Sequence, residues 1–174
     1  MDFKAPDHTA LHRVASVLVL HNLSNDSLIL TRRSLTLKNH PGEVCFPGGR
    51  WQEGDKDLLA TALRELQEEL AIASSRIKSP RLMSPELTLS GFLIYPWFAT
   101  IEALEPYSAN SEEVLDVFNV PLQDVRKLEH YQEITVNRGG IEFKSCLYTA
   151  CSHVVWGATA RIMKQLCDTK NKVI

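Results

Sequence analysis

Phe46-Pro47-Gly48-Gly49 and, after fourteen intervening residues, Arg64-Glu65-Leu66-Gln67-Glu68-Glu69 form the stretch that decides the fold. The second half lies in residues 57–72, which read as one helix. No Pro or Gly interrupts it, and Leu59, Leu63, Leu66 and Leu70 recur at steps of three and four. Those leucines gather on one face, to be buried against a sheet. Glu65 and Glu69 stack one turn apart on a different face with Glu68 beside them, and Arg64 stands four before Glu68, within reach of an ion pair. Three adjacent carboxylates repel one another unless a cation sits among them. Mg²⁺ (or Mn²⁺) takes oxygen ligands and keeps several waters, so a few carboxylates plus substrate phosphate oxygens suffice. Gly48-Gly49 predicts a turn ahead of the helix, where positive φ and close approach let a main-chain carbonyl join the metal shell. A glutamate stripe alone is what a solvated helix face looks like; the glycines ahead of it favour a metal site.

Outward from this centre, residues 14–21 and 28–31 are strand-like, separated by Asn22-Leu23-Ser24-Asn25-Asp26, a hairpin composition. Residues 32–41 form a polar connection, and a short strand at 44–46 leads into the glycines. Further strands are expected at 78–84, 90–101 and 114–119, with Pro80, Pro85 and Pro96 at edges or bends. Pro121 opens a short helix over 121–128. Residues 133–137 and 141–148 flank Arg138-Gly139-Gly140 as a second hairpin. Apolar positions 155, 158, 162, 163 and 166 predict a terminal helix over 154–167. Mixed strands with a few helices make an α+β layout.

The bulk numbers narrow the function classes. A chain of 174 residues with 44% apolar and 23% charged residues suits one soluble domain. A net charge of −2 leaves no electrostatic footprint for nucleic acid or an anionic membrane, so an anionic substrate must be met by local basic residues and metal. Cys45, Cys146, Cys151 and Cys167 show no CxxC pair and read as reduced thiols of an intracellular protein. Cys45 reads as a strand residue, not a nucleophile. The polar start Met1-Asp2-Phe3-Lys4-Ala5-Pro6 lacks a signal-peptide layout. The apolar run at 14–20 is too short to span a membrane, and the end Asn171-Lys172-Val173-Ile174 is no peroxisomal address. The expected setting is the cytoplasm, and a homodimer stays open.

Gly49, five residues, Asp55, eight residues, then Arg64 to Ile72 resembles the Nudix box of the Nudix hydrolases, with three departures. Asp55 stands for a Glu, the second gap is one residue longer, and Ala71 stands for a Gly. Leu30-Thr31-Arg32-Arg33-Ser34, then Leu37, His40, Gly42, Val44 and Phe46 to Gly49, resembles the signature of the coenzyme A pyrophosphatase subfamily. That subfamily often shares the same three departures. Glu43 and Cys45 differ from the Gln and Ala usual there. Val155-Trp156-Gly157-Ala158-Thr159-Ala160 is similar to a further stretch of that subfamily, so the resemblance covers about residues 14–168 and implies one domain with its core there.

The resemblance implies a Nudix α/β/α sandwich with a mixed sheet and metal-dependent hydrolysis of a pyrophosphate bond. It also implies coenzyme A or its acyl derivatives as the small-molecule substrate, giving adenosine 3′,5′-bisphosphate and 4′-phosphopantetheine. By the same pattern Glu65 and Glu69 are the side-chain metal ligands, joined by the Gly49 carbonyl. Glu68 is a further ligand or the general base, and Arg64 orients the glutamates. Arg33 and Lys38 are either phosphate contacts or surface charges, and His40 is either a structural residue or a substrate contact. Glu113 lies where such enzymes sometimes place an extra acid. Two other functions compete: a broader hydrolase of nucleoside diphosphate derivatives such as ADP-ribose, dinucleotides or oxidised nucleotides, and a non-catalytic binding module of the same fold.

Overall fold

The computed structural model describes residues 13–167; the N-terminal run 1–6 and the C-terminal run 171–174 discussed above lie outside them. In chain order the elements are β1 (Val14–Asn22), β2 (Ser27–Arg33), β3 (Val44–Cys45), β4 (Gly48–Arg50), α1 (Leu58–Leu70), β5 (Lys78–Leu82), β6 (Glu86–Leu87) and β7 (Leu93–Ile101). Then follow β8 (Val114–Pro121), α2 (Leu122–Val125), β9 (Tyr131–Arg138), β10 (Ile141–Tyr148), β11 (Val155–Trp156) and α3 (Gly157–Lys164).

The larger sheet runs β3-β2-β1-β7-β5, with β4 on β1, β6 on β7 and β8 on β2. β1 and β7 pair in parallel while their other neighbours are antiparallel, so the sheet is mixed. A smaller antiparallel sheet runs β11-β10-β9. β1 shows why helices cover both faces. Leu18 and Leu20 pack toward Leu66, Leu70 and Ala62 of α1; Val17 and Val19 pack the other way, with Phe46, Tyr148 and Met163 of α3. A strand buried on both faces reads as a continuous apolar run, as residues 17–20 do. The expected α/β/α sandwich is therefore what forms.

Three local expectations change. The glycines are no turn: Gly48–Arg50 is a strand, paired Val17↔Gly48, Ser16↔Gly49 and Ala15↔Arg50. On α1 the buried stripe is Leu58, Ala62, Leu66 and Leu70, while Leu59 and Leu63 are half-buried. The terminal helix starts at Gly157, because Val155 and Trp156 pair with Tyr148 and Leu147 of β10 and so belong to the smaller sheet.

α1 is defined at both ends by its sequence. Asp57 adopts an extended backbone and its carboxylate accepts from the Ala60 N–H at 2.8 Å, a standard N-cap. Ala71 closes the helix in the left-handed region at φ 54°, its N–H reaching the Gln67 carbonyl.

Candidate active site

Glu65 and Glu69 do not share the solvated face that the helix pattern left open to them. They are 9% and 2% exposed and turn inward against β4. Each depends on one glycine. A Cβ on Gly49 would lie 2.3 Å from Cδ of Glu65, so only glycine leaves that carboxylate its place. Gly48, at φ 146°, donates its N–H to Oε2 of Glu69 at 3.1 Å, and a Cβ there would meet the Ser16 carbonyl oxygen at 2.3 Å. The paired glycines thus let a strand run flush beneath two acidic side chains.

A third carboxylate joins them. Glu65, Glu69 and Glu113 each offer an oxygen within 4.8 Å of the others. Glu113 comes from the loop before β8, and backbone bonds fix that loop to the end of α1. Ser108 N–H donates to the Leu70 carbonyl at 2.9 Å and Asn110 N–H to the Glu69 carbonyl at 2.8 Å. Asn110 also donates from Nδ2 to the Glu113 carboxylate at 3.2 Å. The free carbonyls that every helix leaves at its C-terminus therefore anchor the third acid. Sequence spacing could not place it, since 43 positions separate Glu113 from Leu70 in the chain; the family resemblance alone had pointed to an extra acid there.

Glu68 lies outside this group. Its side chain is half exposed and is held by Nη1 of Arg64 at 2.9 Å, the pairing expected from their spacing. Arg64 is the organiser. It clamps Asp55 with Nε and Nη2 at 2.9 and 3.1 Å, reaches Glu65 at 2.9 Å, and donates to the Arg50 carbonyl at 3.1 Å. Asp55 in turn accepts from the Gln52 N–H and the Thr61 hydroxyl, tying the loop to the helix. Two-point binding of this kind is among the stronger side-chain contacts.

The charges follow from this geometry. Hydrogen bonds from Arg64 hold the Asp55 carboxyl below its usual range, and Asp55 raises Arg64. Burial raises Glu65, and burial pushes Glu69 up to about 8 against the pull of the Gly48 N–H and Arg33. A buried cluster of acids that resists ionisation is under-neutralised, and an all-oxygen donor set of this kind suits a hard divalent cation. The residues therefore fit Mg²⁺ or Mn²⁺.

The upstream candidates separate. Arg33 ends β2 and is close enough to favour the ionised forms of Glu69 and Cys45; its Nε is buried without a partner. Lys38 is exposed, and His40 is exposed at φ 54° with Nδ1 2.9 Å from Glu43. Cys45 ends β3, and burial pushes its thiol up to about 11, unlike an activated nucleophile.

The NUDIX domain profile matches residues 10–136. The chain is 34% identical over 160 residues to an uncharacterized Nudix hydrolase NudL of Yersinia enterocolitica, covering 92% of this chain and 82% of that protein. It is 35% identical over 161 residues to NudL of Yersinia pestis, covering 92% and 81%. Among solved structures, DR0079 from Deinococcus radiodurans superposes with a TM-score of 0.59 at 16% identity, covering 89% of this chain and 83% of that one. An Ap4A hydrolase binary complex from C. elegans gives 0.51 at 17% identity, covering 63% and 80%. Those two superpositions speak for the fold alone; the profile and the relatives say more, and by them the chain belongs to the Nudix family and is a pyrophosphohydrolase.

Proposed function

We propose that this enzyme cleaves the pyrophosphate bond of coenzyme A or an acyl derivative, releasing adenosine 3′,5′-bisphosphate and 4′-phosphopantetheine. The observation that carries it is how the subfamily-like segment upstream of the box is built into the site. Gly42 N–H donates to the Arg33 carbonyl at 3.2 Å and Arg33 N–H to the Glu43 carbonyl at 2.9 Å, which holds Arg33 at the strand end facing Glu69. Its buried, unpartnered Nε is a donor waiting for an anionic oxygen.

In this reading Glu65 and Glu69, with Glu113 and the Gly49 carbonyl, hold Mg²⁺ or Mn²⁺, which supplies charge neutralisation at the phosphate oxygens. Arg64 fixes the orientation of Glu65 and Glu68. Glu68, half exposed and outside the acid cluster, accepts the proton of the attacking water. Arg33 meets the pyrophosphate; Lys38 and His40, both exposed on the same segment, meet the substrate from solvent. Residues 14–168 act as one domain. Four free cysteines fit a reducing cytoplasmic setting, and no described helix is long and apolar enough to cross a membrane.

The test is a side-by-side assay of coenzyme A, ADP-ribose and 8-oxo-dGTP with Mg²⁺, with products identified after digestion in isotopically labelled water. Coenzyme A should lead in kcat/KM; a lead of orders of magnitude for another substrate would refute the proposal. Glu69→Gln should abolish turnover while the fold survives.

A further inference from the structure

We propose that Arg50, carried on the ring of Phe92 and joined by Arg13, is a second anion subsite that binds a phosphomonoester outside the scissile pyrophosphate. On the coenzyme A reading above, on which this rests, that group is the 3′-phosphate of the adenosine.

Strand alternation sets the geometry. Gly49 faces Glu65, so Arg50 leaves β4 from the opposite face. Its guanidinium carbon stands 4.5 Å from the centroid of the Phe92 ring. Ala15 pairs with Arg50 on one side and Ile94 on the other, and Arg13 and Phe92 lie immediately before the strands that carry Ala15 and Ile94. Arg13 Nη1 lies against Gly91, 2.9 Å from where a Cβ would sit. Among the described residues neither guanidinium pairs with a carboxylate, although the nearby Arg161 on α3 is committed to Glu86 at 2.9 Å. In a chain of net charge −2, two guanidiniums with no carboxylate partner among the described residues, one on Phe92 and one against Gly91, are a local excess that composition does not explain.

Stacking on Phe92 fixes one plane of Arg50 and leaves its N–H edge free, the arrangement that takes a phosphate by two parallel bonds. The Arg50 carbonyl accepts from Arg64, so the strand bearing this cation is the one that seats the metal-binding glutamates. A dianion attached to the same substrate, but outside the anhydride, is what the acid cluster cannot neutralise. Coenzyme A carries such a group and ADP-ribose does not.

The experiment compares coenzyme A with 3′-dephospho-coenzyme A as substrates, and adenosine 3′,5′-bisphosphate with 5′-AMP as ligands in calorimetry with Mg²⁺. Wild type, Arg50→Ala, Arg50→Lys and Phe92→Leu are measured. Truncating Arg50 leaves its backbone acceptor for Arg64 in place. We expect Arg50→Ala to lower kcat/KM for coenzyme A about 10- to 100-fold, mostly through KM, and to change the dephospho substrate less than about twofold. Arg50→Lys should recover part of the loss and Phe92→Leu should show a smaller one. Equal losses on both substrates, or no loss, would overturn the subsite. Were the wild type to prefer ADP-ribose, the coenzyme A reading would fail separately. Tighter binding of the bisphosphate than of AMP, abolished in Arg50→Ala, would still support the subsite, and equal binding would overturn it.

Discussion

Gly49→Ala isolates one atom of the site. A Cβ there would stand 2.3, 2.4 and 2.5 Å from Cδ, Oε1 and Oε2 of Glu65, about 1 Å short of the 3.4 Å at which ordinary contact begins. The obstruction is the far end of a flexible side chain and Gly49 has no positive φ, so the fold can absorb the methyl group by moving the carboxylate. Overpacking of this kind costs about 1–3 kcal/mol, and the low end is expected here because the displaced group can relax. The functional loss should be larger: a ligand or catalytic group misplaced by about 1 Å forfeits about 100-fold in rate. The neighbour supplies the contrast. At Gly48 the added carbon meets backbone, the Ser16 carbonyl oxygen at 2.3 Å and Val17 Cα at 2.6 Å, and φ is 146°. Gly48→Ala should therefore unfold or fail to accumulate. The assay is turnover against Mg²⁺ concentration together with thermal unfolding. A folded Gly49→Ala protein should need far more metal and turn over about 100-fold more slowly. Wild-type metal dependence and rate in that variant would refute the idea that the missing side chain seats Glu65.

Three other perturbations have outcomes set by the same local geometry. Ala71→Gly should raise stability by about 0.5–1 kcal/mol, since Ala71 holds a left-handed φ of 54° that glycine adopts freely; differential scanning calorimetry should show a gain of about 2 °C with activity unchanged. Asp55→Asn removes the two-point partner of Arg64 and should cost about 1.5–3 kcal/mol in urea unfolding at neutral pH. Because the folded Asp55 is held below its usual range, its stabilisation is present at neutral pH and lost as pH falls through the folded value, so variant and wild type should converge in acid. For Glu69 the sign reverses: its folded value of about 8 lies above the 4.5 of a free carboxyl, so metal-free protein should lose stability as pH rises from about 4.5 to about 8. Mg²⁺ binding at pH 7 should then release about one proton, read by calorimetry in two buffers of different ionisation enthalpy; release of none would show Glu69 already ionised.

The local signals that needed only neighbours along the chain were legible in the sequence. Residues 57–72 announced a helix by period, Arg64 and Glu68 announced their pair by spacing, and the apolar run of β1 announced a strand. Family resemblance added the reaction class. Other facts depended on parts of the chain that meet only after folding. Gly48 and Gly49 became a strand because β1 offered them backbone partners, an outcome the residues alone do not distinguish from a turn. Val155 and Trp156 were drawn from the helix pattern by β10. Burial turned two of the three box glutamates inward and left Glu68 on the rim, and the loop tied to the end of α1 brought Glu113 into its place. Charge periodicity states which residues share a helix face; only packing against β4 states which of their carboxylates lose their water, because burial is set by a strand that the helix meets only after folding.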